Sequence, residues 1–152
     1  MNLVLDTENN GLLDTVTCMW CIVAKDIDTK EVYKFPPDQL QQGLELLKKA
    51  KLIICHNFEG YDRIILEKFL GFTYTGKVFD TLVVSRCLNP DRRIPKGCKG
   101  AHSLEAWGIR MGRPKPVHED WSQYSEAMMV RCSEDVEINE WVYYELLKEM
   151  ER

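Results

Sequence analysis

At 152 residues, with 45% apolar and 10% aromatic side chains, the chain is long enough to bury one core, and a single domain over 1–152 is expected. A net charge of −4 excludes a broad nucleic-acid coat, which needs a basic excess, but not a nucleic-acid enzyme whose acids hold cations. No apolar run approaches the ~20 residues that span a bilayer, and MNLVLDTENN lacks the regions of a signal peptide, so a soluble, cytoplasmic protein with no membrane partner and reduced cysteines is expected.

Residues 2–8 read as a strand and NNG at 9–11 as a turn. TVTCMWCIVAKD (15–26) is β-branched and aromatic, and DIDTK (26–30) turns it into EVYKF (31–35), which predicts an antiparallel meander. Cys18 and Cys21 form a lone CxxC; three apart in a strand they point to opposite faces, which suits core packing better than zinc or redox chemistry. PPDQ opens a helix over about 38–50, with Leu40, Leu44 and Leu47 on one face. KLIIC (51–55) is a continuous apolar run, the pattern of a strand covered on both faces. A helix follows over about 60–70 and stops at Gly71, and VFDTLVVSRCL (78–88) begins as a strand and turns helical. NPDRRIPKGCKGAH (89–102) reads as a mobile basic loop, SLEAWGIRMG (103–112) as a short helix and RPKPVHEDW (113–121) as irregular. A long helix covers about 125–150, so the chain is an α/β sandwich on a mixed sheet.

Alternation along the first strand places Val4, Asp6 and Glu8 on one face and Leu3, Leu5 and Thr7 on the other. Asp62 shares a helical stripe with Ile65, Leu66 and Phe69. On the last helix Asp135 lines up with Met128, Cys132, Ile138, Val142 and Leu146, while Glu137 and Glu140 lie off that stripe. A buried carboxylate must be protonated, ion-paired or bound to metal. A single inward Asp is ordinarily an ion pair with Lys or Arg. Four acids facing inward from three elements, with Arg131 alone near on the same face, favour hard cations instead, and oxygen-rich sites select Mg²⁺ or Mn²⁺.

DTENNGLL (6–13), HNFEGYD (56–62), DTLVVSR (80–86), AHSLEAWGIRMG (101–112) and SEDV (133–136) together resemble the 3′–5′ proofreading exonuclease domain of bacteriophage family A DNA polymerases, within the DnaQ-like (DEDD) superfamily. The likeness spans nearly the whole chain, with the motifs in the family's order. It implies an RNase H-like fold whose five-stranded mixed sheet has three antiparallel strands followed by two parallel ones, flanked by helices. It also implies two divalent cations, Mg²⁺ or Mn²⁺: Asp6 bridging both, Glu8 and Asp135 on one, and Asp62 in the outer shell. Leu12 resembles the residue that wedges against the terminal base, His56 and Asn57 those that contact the terminal nucleotide, and Asp80 a structural acid. One position departs from the family, which places Tyr four or His five residues before the last Asp to orient the attacking water; Arg131 and Val130 stand there. Tyr124 and His118 could take that role. Arg131 suits an ordinary ion pair with Asp135 or Glu134, or a grip on a substrate phosphate.

The resemblance implies an exonuclease on its own chain that removes nucleoside 5′-monophosphates from the 3′ end of single-stranded DNA, with RNA as the alternative substrate. A separate DNA polymerase chain is an implied partner, and host cytoplasm the implied location if the chain is phage-encoded. A second expectation, favoured by Arg131, is a catalytically weak DNA-end-binding or polymerase-associated module. The basic loop 91–99, with Arg92, Arg93, Lys96 and Lys99, reads as solvated surface or as a guide for the nucleic-acid backbone.

Overall fold

The structure, a computed structural model, describes residues 1–114 and 117–152; positions 115 and 116, within the stretch expected to be irregular, lie outside the described residues. Among the described residues the sheet comprises β1 (Asn2–Asn9), β2 (Met19–Asp26), β3 (Val32–Phe35), β4 (Leu52–Cys55) and β5 (Lys77–Asp80), in spatial order β3-β2-β1-β4-β5. β1 pairs antiparallel with β2 and β2 with β3, while β4 runs parallel to both β1 and β5. The expected three antiparallel and two parallel strands are therefore present.

The period-2 alternation of β1 divides the core. Leu3 and Leu5 join Ile22, Ala24, Ile53 and Cys55 beneath Leu44 and Leu47 of α1 (Leu40–Leu47) and Ile65 and Leu66 of α2 (Arg63–Leu70). Val4 on the opposite face meets Cys21, Val23 and Ile54 under Met129, Cys132 and Val136 of α5 (Glu126–Met150). Farther along α5, Ile138, Val142 and Leu146 pack on Leu104 and Trp107 of α4 (Leu104–Arg110).

Helix ends follow the local chemistry. The Gly71 that stops α2 adopts φ 64°, the left-handed cap glycine takes without strain. Ser103 and Ser125 cap α4 and α5 by accepting from Ala106 N and Met128 N. A 3₁₀ turn (Pro37–Gln39) precedes α1, and a π-helical turn (Phe58–Asp62) carries Asp62 to the start of α2.

Three expectations need correction. The second strand begins at Met19 rather than 15, because Asn10 Oδ1 accepts from Thr17 N and Cys18 N and holds residues 10–18 in a folded loop. Cys18 thus lies outside the strand and only Cys21 is in it; all six cysteines are free thiols. Glu140, placed off the apolar stripe of α5, is buried, because Lys25 of β2 and Lys30 reach it at 2.5 Å each. Nor does the basic loop hang free. Arg92 makes a two-pronged pair with Glu149 at 2.8 and 2.7 Å and stacks 4.6 Å over Trp107, while Arg110 bonds the carbonyls of Arg93 and Ala101.

Candidate active site

Asp6 and Glu8 lie toward the C-terminal end of β1 on the α5 face, as alternation requires. Directly above them, the stripe of α5 brings Cys132 and Asp135 down onto the sheet, both buried. Ligand atoms of Asp6, Glu8 and Cys132 lie within 4.8 Å of one another. The Cys132 thiol also donates to the Asp6 carbonyl at 3.4 Å. The donor set is rich in carboxylate oxygen, as hard divalent cations require.

Asp6 and Asp135 stand at the floor of a groove of about 530 Å³, whose walls include His56, Asn57, Leu82, Arg86, His102 and Ser103. Beside it, Glu8 opens onto a hollow of about 350 Å³ formed by residues 7–12, Tyr61 and Trp121. Leu12 is 73% exposed at its rim. The Tyr61 hydroxyl donates to the Gly11 carbonyl at 2.6 Å and so ties the loop after β1 to the helix-start that carries Asp62.

Asp62 approaches from the other side. Thr7, on the α1–α2 face of β1, donates its hydroxyl to Asp62 Oδ1 at 2.6 Å. Burial pushes the Asp62 carboxyl up to about 6, and the Asp80 charge adds to this, against hydrogen bonds from Thr7 and Cys55. The structure thus brings Asp6, Glu8 and Asp135 to one face and keeps Asp62 across the strand, on Thr7.

Asp80 caps α3 (Thr81–Leu88). Its Oδ1 accepts from the backbone of Leu82, Val83 and Asn57, and its Oδ2 from Glu59 N. The one carboxylate therefore locks the His56–Glu59 turn to α3. His56 is fixed as well. Thr81 gives its single hydroxyl proton to Asn139 Oδ1 at 2.6 Å, so the 2.9 Å contact from His56 Nδ1 must be a donation from an Nδ1–H tautomer.

Glu134 is held by Arg113 at 2.8 Å. Arg131 Nε lies 3.9 Å from Glu8 Oε1, with the guanidinium 5.0 Å over the Trp121 ring. Of the residues considered for orienting water, Tyr124 packs against the α5-side core with its hydroxyl 3.4 Å from Glu126, and His118 stacks edge-on with Trp121.

No family model matches the chain. It is 27% identical to the DNA-directed DNA polymerases of Escherichia phage T7 and Enterobacteria phage T3, in each case over 97% of this chain. It spans only 27% of the length of those relatives. NrnC of Brucella melitensis superposes with a TM-score of 0.74 at 21% identity, covering 99% of this chain and 74% of that one. RNase D of Escherichia coli, an exoribonuclease, gives 0.69 at 14% identity over 99% of this chain and 40% of that one. The chain has the RNase H-like fold.

In this fold, the side chains missed by sequence reading are Trp121 and Cys132. Trp121 lies on an irregular stretch with no period to orient it, and it reaches the hollow because its carbonyl accepts from Trp20 Nε1 at 2.9 Å. Cys132 was placed on the correct stripe but read as core. Its offset of three from Asp135 was the available signal, since an acid and a thiol at that spacing share a helix face.

Proposed function

We propose that this chain is a divalent-metal-dependent 3′–5′ exonuclease, a single unit over 1–152, that shortens single-stranded DNA and releases nucleoside 5′-monophosphates. The observation that carries the reading is that Asp6 meets Glu8 and Cys132 within 4.8 Å and, with Asp135 of α5, lines an open groove. Two ions, Mg²⁺ or Mn²⁺, held by Asp6, Glu8 and Asp135 with Asp62 alongside, would stabilise charge on the phosphoryl oxygens and acidify water.

The chain's own side chains position the strand end. Leu12 and Trp121 offer apolar faces for the terminal base across the hollow. His56, locked as its Nδ1–H tautomer, and Asn57 present polar groups to the terminal nucleotide. Arg131 supplies a guanidinium at the acid rim for phosphate, and being permanently protonated it cannot be the general base.

Likeness to phage DNA polymerases supports DNA as substrate and polymerase-associated work as its role. Likeness to an exoribonuclease is the support for RNA. The second reading, a DNA-end-binding module of weak activity, draws on Arg131 standing where the family carries Tyr or His. The experiment is release of labelled mononucleotides from 3′-labelled DNA and RNA oligonucleotides with Mn²⁺, for the native protein and for Asp6→Ala and Asp135→Ala. Stepwise loss from the 3′ end, absent in both variants, is expected. Tight single-strand binding with no release would establish the binding module instead.

A further inference from the structure

The buried thiol of Cys132 has a place in this site that the nuclease reading does not use. We propose that Cys132 makes the acid cluster a mixed carboxylate–thiolate site, so that thiophilic divalent cations such as Zn²⁺ and Cd²⁺ bind there through sulfur as well as oxygen. The inference shares Asp6 and Glu8 with the proposed active site and rests on that placement.

Geometry is the first support. Around a tetrahedral ion with bonds of about 2.0–2.3 Å, oxygen and sulfur ligands stand roughly 3.5 Å apart. The mutual spacing of Asp6, Glu8 and Cys132, within 4.8 Å, already encloses such an ion with small side-chain adjustment. The second support is where the sulfur is held. Cys132 is fully buried on the α5 stripe, and its S–H points at the Asp6 carbonyl at 3.4 Å, so the sulfur lies against β1 at the acids' end of the core layer. The third is chemical selectivity. Carboxylates alone suit Mg²⁺ and Mn²⁺, whereas a thiolate selects zinc-group ions and is ignored by Mg²⁺. The thiol proton passes to solvent as the metal–sulfur bond forms, and nothing is oxidised. Cys21 stands opposite Glu8 on β2, in the same core layer as Cys132. It lies outside the three-donor group and serves as the internal control.

A thiophilic ion held this way occupies Asp6 and Glu8 and competes there with the hard cation. Cd²⁺ titration of the full chain, followed by thiolate-to-metal charge-transfer absorption in the ultraviolet, tests the idea. An absorption rising to one Cd²⁺ per chain is expected in the native protein and in Cys21→Ala. It should be lost in Cys132→Ala, with Cd²⁺ affinity lower by roughly tenfold or more, the range that even weaker ligand defects produce. Asp6→Asn should weaken the same absorption, because the sulfur and the carboxylate share one ion. Circular dichroism and the melting curve verify that each variant is folded; Cys132→Ser, which keeps size and polarity, replaces Cys132→Ala should that one not fold. An absorption unchanged in the Cys132 variant, or insensitive to Asp6→Asn, would overturn the proposal by placing the sulfur elsewhere. The two readings fail separately. Hydrolysis with Mg²⁺ but no Cys132-dependent absorption defeats the sulfur ligand alone, and the absorption without hydrolysis defeats the nuclease alone.

Discussion

Arg131 is held between a charge and a ring, with Glu8 Oε1 at 3.9 Å and Trp121 at 5.0 Å, and a 3.9 Å pair at a partly wet rim is easily exchanged for a phosphate. Arg131→Ala is therefore expected to raise the oligonucleotide KM several-fold with little change in kcat, while Arg131→Tyr, which supplies a hydroxyl at the acid rim, keeps or raises the rate. Steady-state kinetics on a single-stranded oligonucleotide decide it; if Arg131→Ala matches the native enzyme in both constants, the phosphate role fails and the ion pair with Glu8 stands. Asp62 gives a pH signature. Its folded carboxyl titrates near 6, above the ~3.9 of an unfolded Asp, so it contributes full stability below pH ~4 and loses it as pH rises through 6. The displacement is worth on the order of 3 kcal/mol, so Asp62→Asn in chelator should melt higher than the native protein at pH 7–8 and lose that advantage by pH 4. A melting difference flat across that range would show that Asp62 is not held protonated by its surroundings.

At the level of elements, what could be read from the sequence was what a single element's period fixes. β1 alternates with period 2, so the faces of Val4, Asp6 and Glu8 against Leu3, Leu5 and Thr7 were determined before any partner was known. The α5 stripe from Met128 to Leu146 was determined in the same way. What could not be read was anything set by one element reaching another. Glu140 is buried by Lys25, 115 residues earlier in the chain, and Arg92 is drawn from its loop by Trp107 and Glu149. The Thr7 hydroxyl that meets Asp62 is likewise a contact between two elements, made where the π-helical turn brings Asp62 to the start of α2. The basic loop thus separates into two parts with different outcomes. Arg92→Ala should cost about 2 kcal/mol of stability by losing the Glu149 pair and the Trp107 stack. Charge reversal at Arg93, Lys96 and Lys99, which are exposed, should leave the melting point unchanged and flatten the salt dependence of single-strand binding. An unchanged salt slope would make that part of the loop plain solvated surface.

For the whole molecule, the acids of β1 and α5 gather like charges in the core, with Glu8 and Asp135 both nearly excluded from solvent. Like charges at close range in a poorly hydrated layer oppose folding, and a cation that binds the folded chain reverses the sign of that contribution. Stabilisation by a ligand that ignores the unfolded chain follows RT ln(1 + [L]/Kd), about 2.7 kcal/mol at a hundredfold excess over Kd. For a domain of this size each kcal/mol moves the melting point by about 3 °C, so saturating Mn²⁺ should raise it by roughly 8 °C over chelator. Asp6→Ala removes one of the repelling charges and one of the ligands together. It should therefore melt at or slightly above the native protein in chelator and gain almost nothing from Mn²⁺. The pair of melting curves separates a metal centre from a structural ion-pair cluster, since a cluster neutralised by lysine or arginine would lose stability when Asp6 is removed and would not respond to the metal in either form. A native-sized Mn²⁺ shift in Asp6→Ala would place the cation elsewhere and remove the acids between β1 and α5 as its ligands.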